Sequence, residues 1–229
     1  QLCSLVRDTG ADIGFAIDPD ADRLSLVDET GKAMGEDLTL AFAASVVLSR
    51  TVGPVVTNLS TSQVLNDVAD SFSAPLMRTP VGEINVAERM IAEGAVIGGE
   101  GNGGVILPAL HHTRDAPLAA ALILQNLIDV GSSPSIAAQV WPSYCIIKEK
   151  ISFPREALAG AYQLLEEDLD GATLDHSDGL RLTWRERSMW LHVRPSGTEP
   201  VVRLIAEALD EQTAQSLLNR AIGLLEGVL

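Results

Sequence analysis

Asp18-Pro-Asp-Ala-Asp-Arg23 places three carboxylates at alternate positions directly after the apolar run Ile13 to Ile17. In a tight loop Asp18, Asp20 and Asp22 can all turn inward, the all-oxygen arrangement taken by a hard divalent cation such as Mg2+. Without a cation, converging carboxylates would repel one another. A metal held there keeps positions for water and a phosphoryl oxygen and stabilises developing charge as a Lewis acid.

Other readings of this loop are weaker. An EF-hand needs Gly at the sixth position, where Arg23 stands, and its flanks would be helical rather than strand-like. A phosphatase opening on Asp-x-Asp needs a downstream acidic motif and a Lys, and no convincing match occurs. A solvated acidic turn is the bland alternative, and the next two loops count against it.

Gly98-Gly-Glu-Gly-Asn-Gly-Gly104 joins two apolar runs and contains five glycines in seven residues. Such a backbone admits a ligand closely. Its polar side chains, Glu100 and Asn102, present a carboxylate and an amide of the kind that hold sugar hydroxyls. A nucleotide loop is disfavoured, because the Gly-x-Gly-x-x-Gly pattern between strand and helix is absent and Glu100 would repel a pyrophosphate. Arg194-Pro-Ser-Gly-Thr-Glu-Pro200 lies between two further apolar runs. Ser196 and Thr198 supply hydroxyls, Gly197 lets backbone N–H groups converge, and Arg194 supplies a planar fork of donors, with Arg203 as a second cation. Together they read as a phosphate cradle.

Three other groups read as structural. Asp175-His-Ser-Asp178 contains residue types of a catalytic triad, but neighbours in a polar loop rarely converge on one proton. His111 and His112 read as surface-loop residues, and Trp184 and Trp190 as anchors of a small sheet.

These loops need elements to position them. Asp12 to Ile17 and Leu24 to Asp28 read as a hairpin turning at Glu29-Thr-Gly31. A helix is predicted from Asp37 to about Arg50, then alternating strands and helices: 54–58, 62–72, 75–78, 83–93 and 95–99, with a long helix over 116–130. That alternation implies an α/β layer with a mostly parallel sheet. A boundary is expected between Gly131 and Ile146. Beyond it, helices over 154–168 and 211–225 and strands over 179–184, 188–193 and 201–207 predict a small antiparallel sheet backed by two helices.

Composition permits such a fold. The 229 residues are 46% hydrophobic and 21% charged, with aromatics at only 4%, so the core must be built from Ala, Val, Leu and Ile. A formal net charge of −15 disfavours nucleic acid and anionic membranes as partners. Cys3 and Cys145 offer no C-x-x-C pair, hence no disulfide framework or structural zinc. No signal segment is seen at the N-terminus, and the most apolar stretch, 116–130, is too short to span a bilayer. A cytoplasmic protein, monomeric or dimeric, is expected.

In their order and approximate spacing, the three loops resemble those of the α-D-phosphohexomutase family: Asp-x-Asp-x-Asp-Arg, Gly-Glu-x-(Ser/Asn)-Gly and Arg-x-Ser-Gly-Thr-x-Pro. The family includes phosphoglucosamine mutases, phosphomannomutases and phosphoglucomutases, and the likeness covers essentially the whole chain. It implies an α/β fold of mixed three-layer α/β/α domains followed by a smaller α+β domain. The segments would be the end of a second domain (1–36), a third (37–140) and a fourth (141–229). It further implies that Asp18, Asp20 and Asp22 bind Mg2+ and that Arg23 sits beside the transferring phosphoryl group. Glu100, Asn102, Val81 and Gly82 would contact the sugar; Arg194, Ser196, Gly197, Thr198 and Arg203 would grip the non-reacting phosphate. The family moves phosphate between the 6- and 1-positions through a phosphoserine and a hexose 1,6-bisphosphate intermediate.

Departures from the pattern matter too. The serine segment of the type Ala-Ser-His-Asn-Pro is absent from these residues, so the isolated chain is expected to be a C-terminal portion that binds a hexose phosphate without turnover. Where many members read Ser-Gly-His, this chain reads Asn102-Gly-Gly104, and a Lys that many carry near Pro80 is missing, with Arg78 as a possible stand-in. These changes are similar to the archaeal-type branch. The alternatives are a non-catalytic sugar-phosphate binding protein and a Mg2+-dependent phosphatase.

Overall fold

A computed structural model describes residues 1–197 and 201–228, which divide into a unit over Gln1–Pro142 and another over Ser143–Leu229. The first unit opens with α1 (Leu2–Thr9), then β1 (Gly14–Ile17) and β2 (Leu24–Val27). The two strands pair antiparallel, Gly14 opposite Val27 and Ile17 opposite Leu24, so the acidic loop is the connection of a hairpin. At the far end Asp28 organises the turn, its Oδ1 accepting from the N–H groups of Thr30 (3.0 Å) and Lys32 (2.9 Å).

Next comes α2 (Asp37–Leu48), whose residues Thr39 to Ala44 are all buried. Its sequence carries no polar stripe, and a helix that is apolar all round belongs in the interior. There follow β3 (Val55–Asn58), α3 (Val64–Ser71), β4 (Leu76–Thr79), α4 (Glu83–Glu93), β5 (Ile97–Glu100), β6 (Gly104–Ile106), α5 (Ala116–Val130) and α6 (Pro134–Ala137). The sheet order is β4-β3-β5-β6. β3 runs parallel to β4 and β5, and β6 turns back antiparallel on β5. Every residue of β3 and β5 is buried, as strands covered on both faces must be.

The covering helices can be assigned from two adjacent glycines. A Cβ on Gly98 would meet Met90 of α4, whereas one on Gly99 would point toward Leu40 of α2. Successive strand residues face opposite ways. Hence α4 and α2 lie on opposite faces, and the unit is a three-layer α/β/α sandwich.

The second unit comprises β7 (Cys145–Ser152), α7 (Leu158–Asp168), β8 (Thr173–Asp175), β9 (Leu180–Trp184), β10 (Met189–Pro195), β11 (Val201–Ala208) and α8 (Glu211–Glu226). Its five strands form an antiparallel sheet in the order β7-β11-β10-β9-β8. One core joins Leu182, Leu191, Val193 and Leu204 from the strands to Leu165, Leu218 and Ala221 from α7 and α8. The α/β reading, with a smaller α+β domain at the C-terminal end, therefore holds. α1, β6, α6, β7 and β8 are additions to it.

Candidate functional site

The acidic loop is fixed by its own backbone. Asp18 Oδ1 accepts from the N–H groups of Asp22 (3.1 Å) and Arg23 (3.2 Å), and Asp18 Oδ2 takes the Arg23 Nε–H at 2.7 Å. Some desolvation pushes the Asp18 carboxyl up, but the Arg23 N–H, the Arg23 guanidinium and the Asp22 contacts outweigh it and hold the carboxyl below its usual range. Asp20 is exposed. Asp22 Oδ2 is bound by Arg114, and its Oδ1 is buried without a hydrogen bond, the nearest cation being Arg23 Nε at 3.4 Å.

Asp20 is exposed, while Asp18 and Asp22 both face Arg23. Among the described residues no three His, Cys, Asp or Glu side chains gather as a metal cage. Arg23 lies against both Asp18 (2.7 Å) and Asp22 (3.4 Å), and Arg114 also binds Asp22, so the repulsion between these carboxylates is relieved by guanidinium groups. The donor set still suits a hard cation. It is all oxygen, and Asp22 Oδ1 is buried without a hydrogen bond, with only Arg23 Nε at 3.4 Å beside it.

The glycine-rich loop is the β5–β6 hairpin, and it lies against the acidic loop. Leu24 N–H donates to Gly103 O at 3.0 Å, and Ala116 N–H to Ala21 O at 3.1 Å. Gly103 has φ +91°, and a Cβ there would sit 2.4 Å from Leu24 O, so this contact demands glycine. Glu100 is 3% exposed. Its Oε1 accepts from Asn58 Nδ2 (2.7 Å) and Gly82 N–H (3.2 Å), and its Oε2 from Arg114 Nη1 (2.7 Å). A carboxylate offers about four acceptor sites; one on Oε2 is left for a hydroxyl. Half-buried Asn102 accepts the Gly104 N–H through its Oδ1 at 3.2 Å, which leaves its amide N–H groups for a ligand.

The Thr79–Gly82 turn is brought in by that Gly82 bond, with Gly82 (φ 130°) opening α4 and half-buried Val81 beside it. Arg78 does not serve as a substitute cation. Its Nη1 is spent on the carbonyls of Asn58 (2.9 Å) and Thr61 (2.7 Å), its Nη2 on Ser62 O and Asn66 Oδ1. The residue that sequence reasoning missed is Arg114. It binds Asp22 and Glu100, and its Nε lies 3.4 Å from Glu83 Oε2.

In the second unit Arg194 and Arg203 are cross-strand partners on β10 and β11, so their side chains share a face. Ser196 N–H donates to Val201 O at 2.8 Å, closing the neck of the loop. Arg155 Nη2 donates to Ser196 O at 2.7 Å, and Arg194 Nε lies 3.1 Å from Asp178 Oδ2. Ser196 is buried, and Gly197 and Arg203 are exposed; Thr198 lies outside the described residues. The Asp175–Asp178 segment forms no triad: Asp175 Oδ1 accepts from Ser177, and Asp178 buttresses Arg194. His111 pairs with Asp115 at 2.9 Å, and His112 is exposed.

Models of the phosphoglucomutase/phosphomannomutase family match in succession: alpha/beta/alpha domain II over residues 1–31, alpha/beta/alpha domain III over 35–144, and the C-terminal domain over 147–223. The chain belongs to the phosphoglucomutase/phosphomannomutase family. A probable phosphoglucosamine mutase of Methanopyrus kandleri is 37% identical over 98% of this chain and 50% of its own length. A phosphoglucomutase/phosphomannomutase of Thermococcus kodakarensis is 36% identical over 98% of this chain and 49% of its own. The chain spans about half the length of the curated relatives it matches.

Among solved structures, a phosphoglucomutase/phosphomannomutase family protein from Burkholderia thailandensis aligns with a TM-score of 0.82. It covers 99% of this chain and 49% of that one at 24% identity. A likeness at that identity is one of fold. Within this family chain, the acidic loop, the Glu100 loop and the Gly82 turn meet in the first unit, and the Arg194 loop belongs to the second.

Proposed function

We propose that this chain holds the sugar- and phosphate-binding surfaces of a hexose-phosphate mutase, which moves phosphate between the 6- and 1-positions of glucosamine, mannose or glucose. The observation that carries the reading is the meeting of two loops far apart in sequence: Leu24 bonds Gly103, and one guanidinium links Asp22 to Glu100. An isolated acidic turn has no need of such a partner.

On this reading Asp18, Asp20 and Asp22 hold Mg2+, which when bound supplies charge stabilisation for the phosphoryl group. Arg23 sits beside that group. Glu100 accepts a sugar hydroxyl through its remaining Oε2 site, Asn102 donates to another, and Val81 and Gly82 wall the sugar. Arg194, Ser196, Gly197, Thr198 and Arg203 grip the phosphate that is not reacting. Because either phosphate of a hexose 1,6-bisphosphate must fit there in turn, a cradle of donors without acid–base groups suits the task. The transferring serine is assigned to a segment outside these residues.

The test is complementation. The chain is mixed with the N-terminal half of the Methanopyrus kandleri relative, Mg2+ and a trace of hexose bisphosphate, and glucosamine 6-phosphate is followed by 31P NMR. Glucosamine 1-phosphate should form in the mixture and with neither half alone. Hexose-phosphate binding with no conversion in a folded, associated mixture would favour a non-catalytic binder.

A further inference from the structure

One guanidinium in the first unit is shared among three carboxylates that come from separate elements. Arg114 Nη2 binds Asp22 of the β1–β2 loop, Nη1 binds Glu100 of the β5–β6 hairpin at 2.7 Å, and Nε lies 3.4 Å from Glu83 in the first turn of α4. Its backbone is pinned as well. Arg114 N–H donates to Glu83 Oε1 at 2.9 Å. The next residue, Asp115, bonds Val105 O through its N–H (3.0 Å) and caps α5 by accepting from Leu118 N–H (2.8 Å). The side chain is only 16% exposed. A group fixed at backbone and head in this way has few rotamers left to lose.

Gly104 makes room for it. A Cβ at position 104 would stand 2.3 Å from Arg114 Cδ and 3.0 Å from its Cγ, so no side chain at 104 can coexist with this path of the arginine. Gly104 and the path of Arg114 are therefore one coupled feature.

We infer that Arg114 is a positioning residue that locks Glu100 and Asp22 into a single array, with Gly104 as the space it requires. For its ligand, a hexose phosphate, the inference rests on the mutase reading. A planar guanidinium spreads its donors over three nitrogens at fixed angles and so reaches separated carboxylates, whereas a lysine ammonium presents its three donors from one nitrogen. With Arg114 removed, Glu100 keeps Asn58 and Gly82 on Oε1 but loses what orients Oε2, the atom assigned to the sugar.

Two measurements on the full chain test this. In a thermal-melt cycle, Gly104→Ala should lower the melting temperature by about 3–6 °C beside Arg114, as overpacking does, and by less than about 1 °C in Arg114→Ala. Equal losses in both backgrounds would overturn the coupling. In calorimetric titrations with Mg2+, Arg114→Met should weaken glucosamine 6-phosphate binding roughly tenfold or more while inorganic phosphate binding stays within about twofold. Arg114→Lys should not restore it. A merely structural role would lower both affinities together, and wild-type affinity for the sugar phosphate in Arg114→Met would refute the inference. If the wild type itself shows no preference for the sugar phosphate over inorganic phosphate, the mutase reading fails, and the melt cycle still decides whether the bridge exists.

Discussion

His192 illustrates how a residue outside the ligand can set a loop. It is fully buried on β10, and its Nε2 must donate to Asp178 O at 2.7 Å, since a carbonyl only accepts. The Asp178 carboxylate meets Arg194 two residues further along the same strand. Asp178 is thus braced at carbonyl and carboxylate, and it holds the arginine that opens the proposed phosphate cradle. Burial, with lesser help from Arg181, pushes the imidazole pKa down to about 4 from 6.5 against the opposing pull of the Asp178 bond. The unfolded chain therefore takes up a proton below 6.5 that the folded chain refuses until about 4. Stability should fall by about 3 kcal/mol as pH drops through that window. Urea unfolding at a series of pH values should show this slope, and His192→Gln, which keeps a donor without a titrating group, should flatten it.

Among the elements, the two hairpins of the first unit depend on each other. Gly103 places its carbonyl on the Leu24 N–H at a positive φ and without space for a Cβ. Gly103→Ala should cost about 2–4 kcal/mol, from left-handed strain plus overpacking, and displace the Glu100 loop from the acidic loop. Chemical denaturation reads the first effect and amide shifts at Leu24 the second. The elements most legible in the sequence were those with a strong period or an apolar run, such as α2, α4, α5 and β3. β7 was not legible because Lys148-Glu149-Lys150 interrupts any alternation. That charge run protects an edge strand, which needs no buried face of its own there. Arg114 was hidden in the polar stretch His111 to Asp115. Its one sequence signal was Gly104, a residue without a side chain inside a strand, which marks a close approach. Spacing alone put three carboxylates together, and it could not foresee that Arg23 would lie against two of them and Arg114 would bind Asp22.

At the scale of the molecule, two kinds of site sit on two kinds of scaffold. The first unit carries the acidic loop on a two-stranded hairpin and the Glu100 hairpin on the largely parallel sheet of its three-layer part. A smaller antiparallel unit with its own core carries the Arg194 loop. The strongly acidic composition leaves anion binding to a few placed arginines rather than to a general field. The proposed account assigns phosphate binding to the Arg194 loop of one unit and sugar binding to the Glu100 region of the other. The most direct measurement is calorimetric titration of glucosamine 6-phosphate, with inorganic phosphate as reference, into the chain with Mg2+ and into its Arg194→Met variant. The account predicts that the sugar phosphate binds at least about tenfold more tightly than inorganic phosphate and that Arg194→Met weakens both. Equal affinity for the two ligands, or binding indifferent to Arg194, would contradict it.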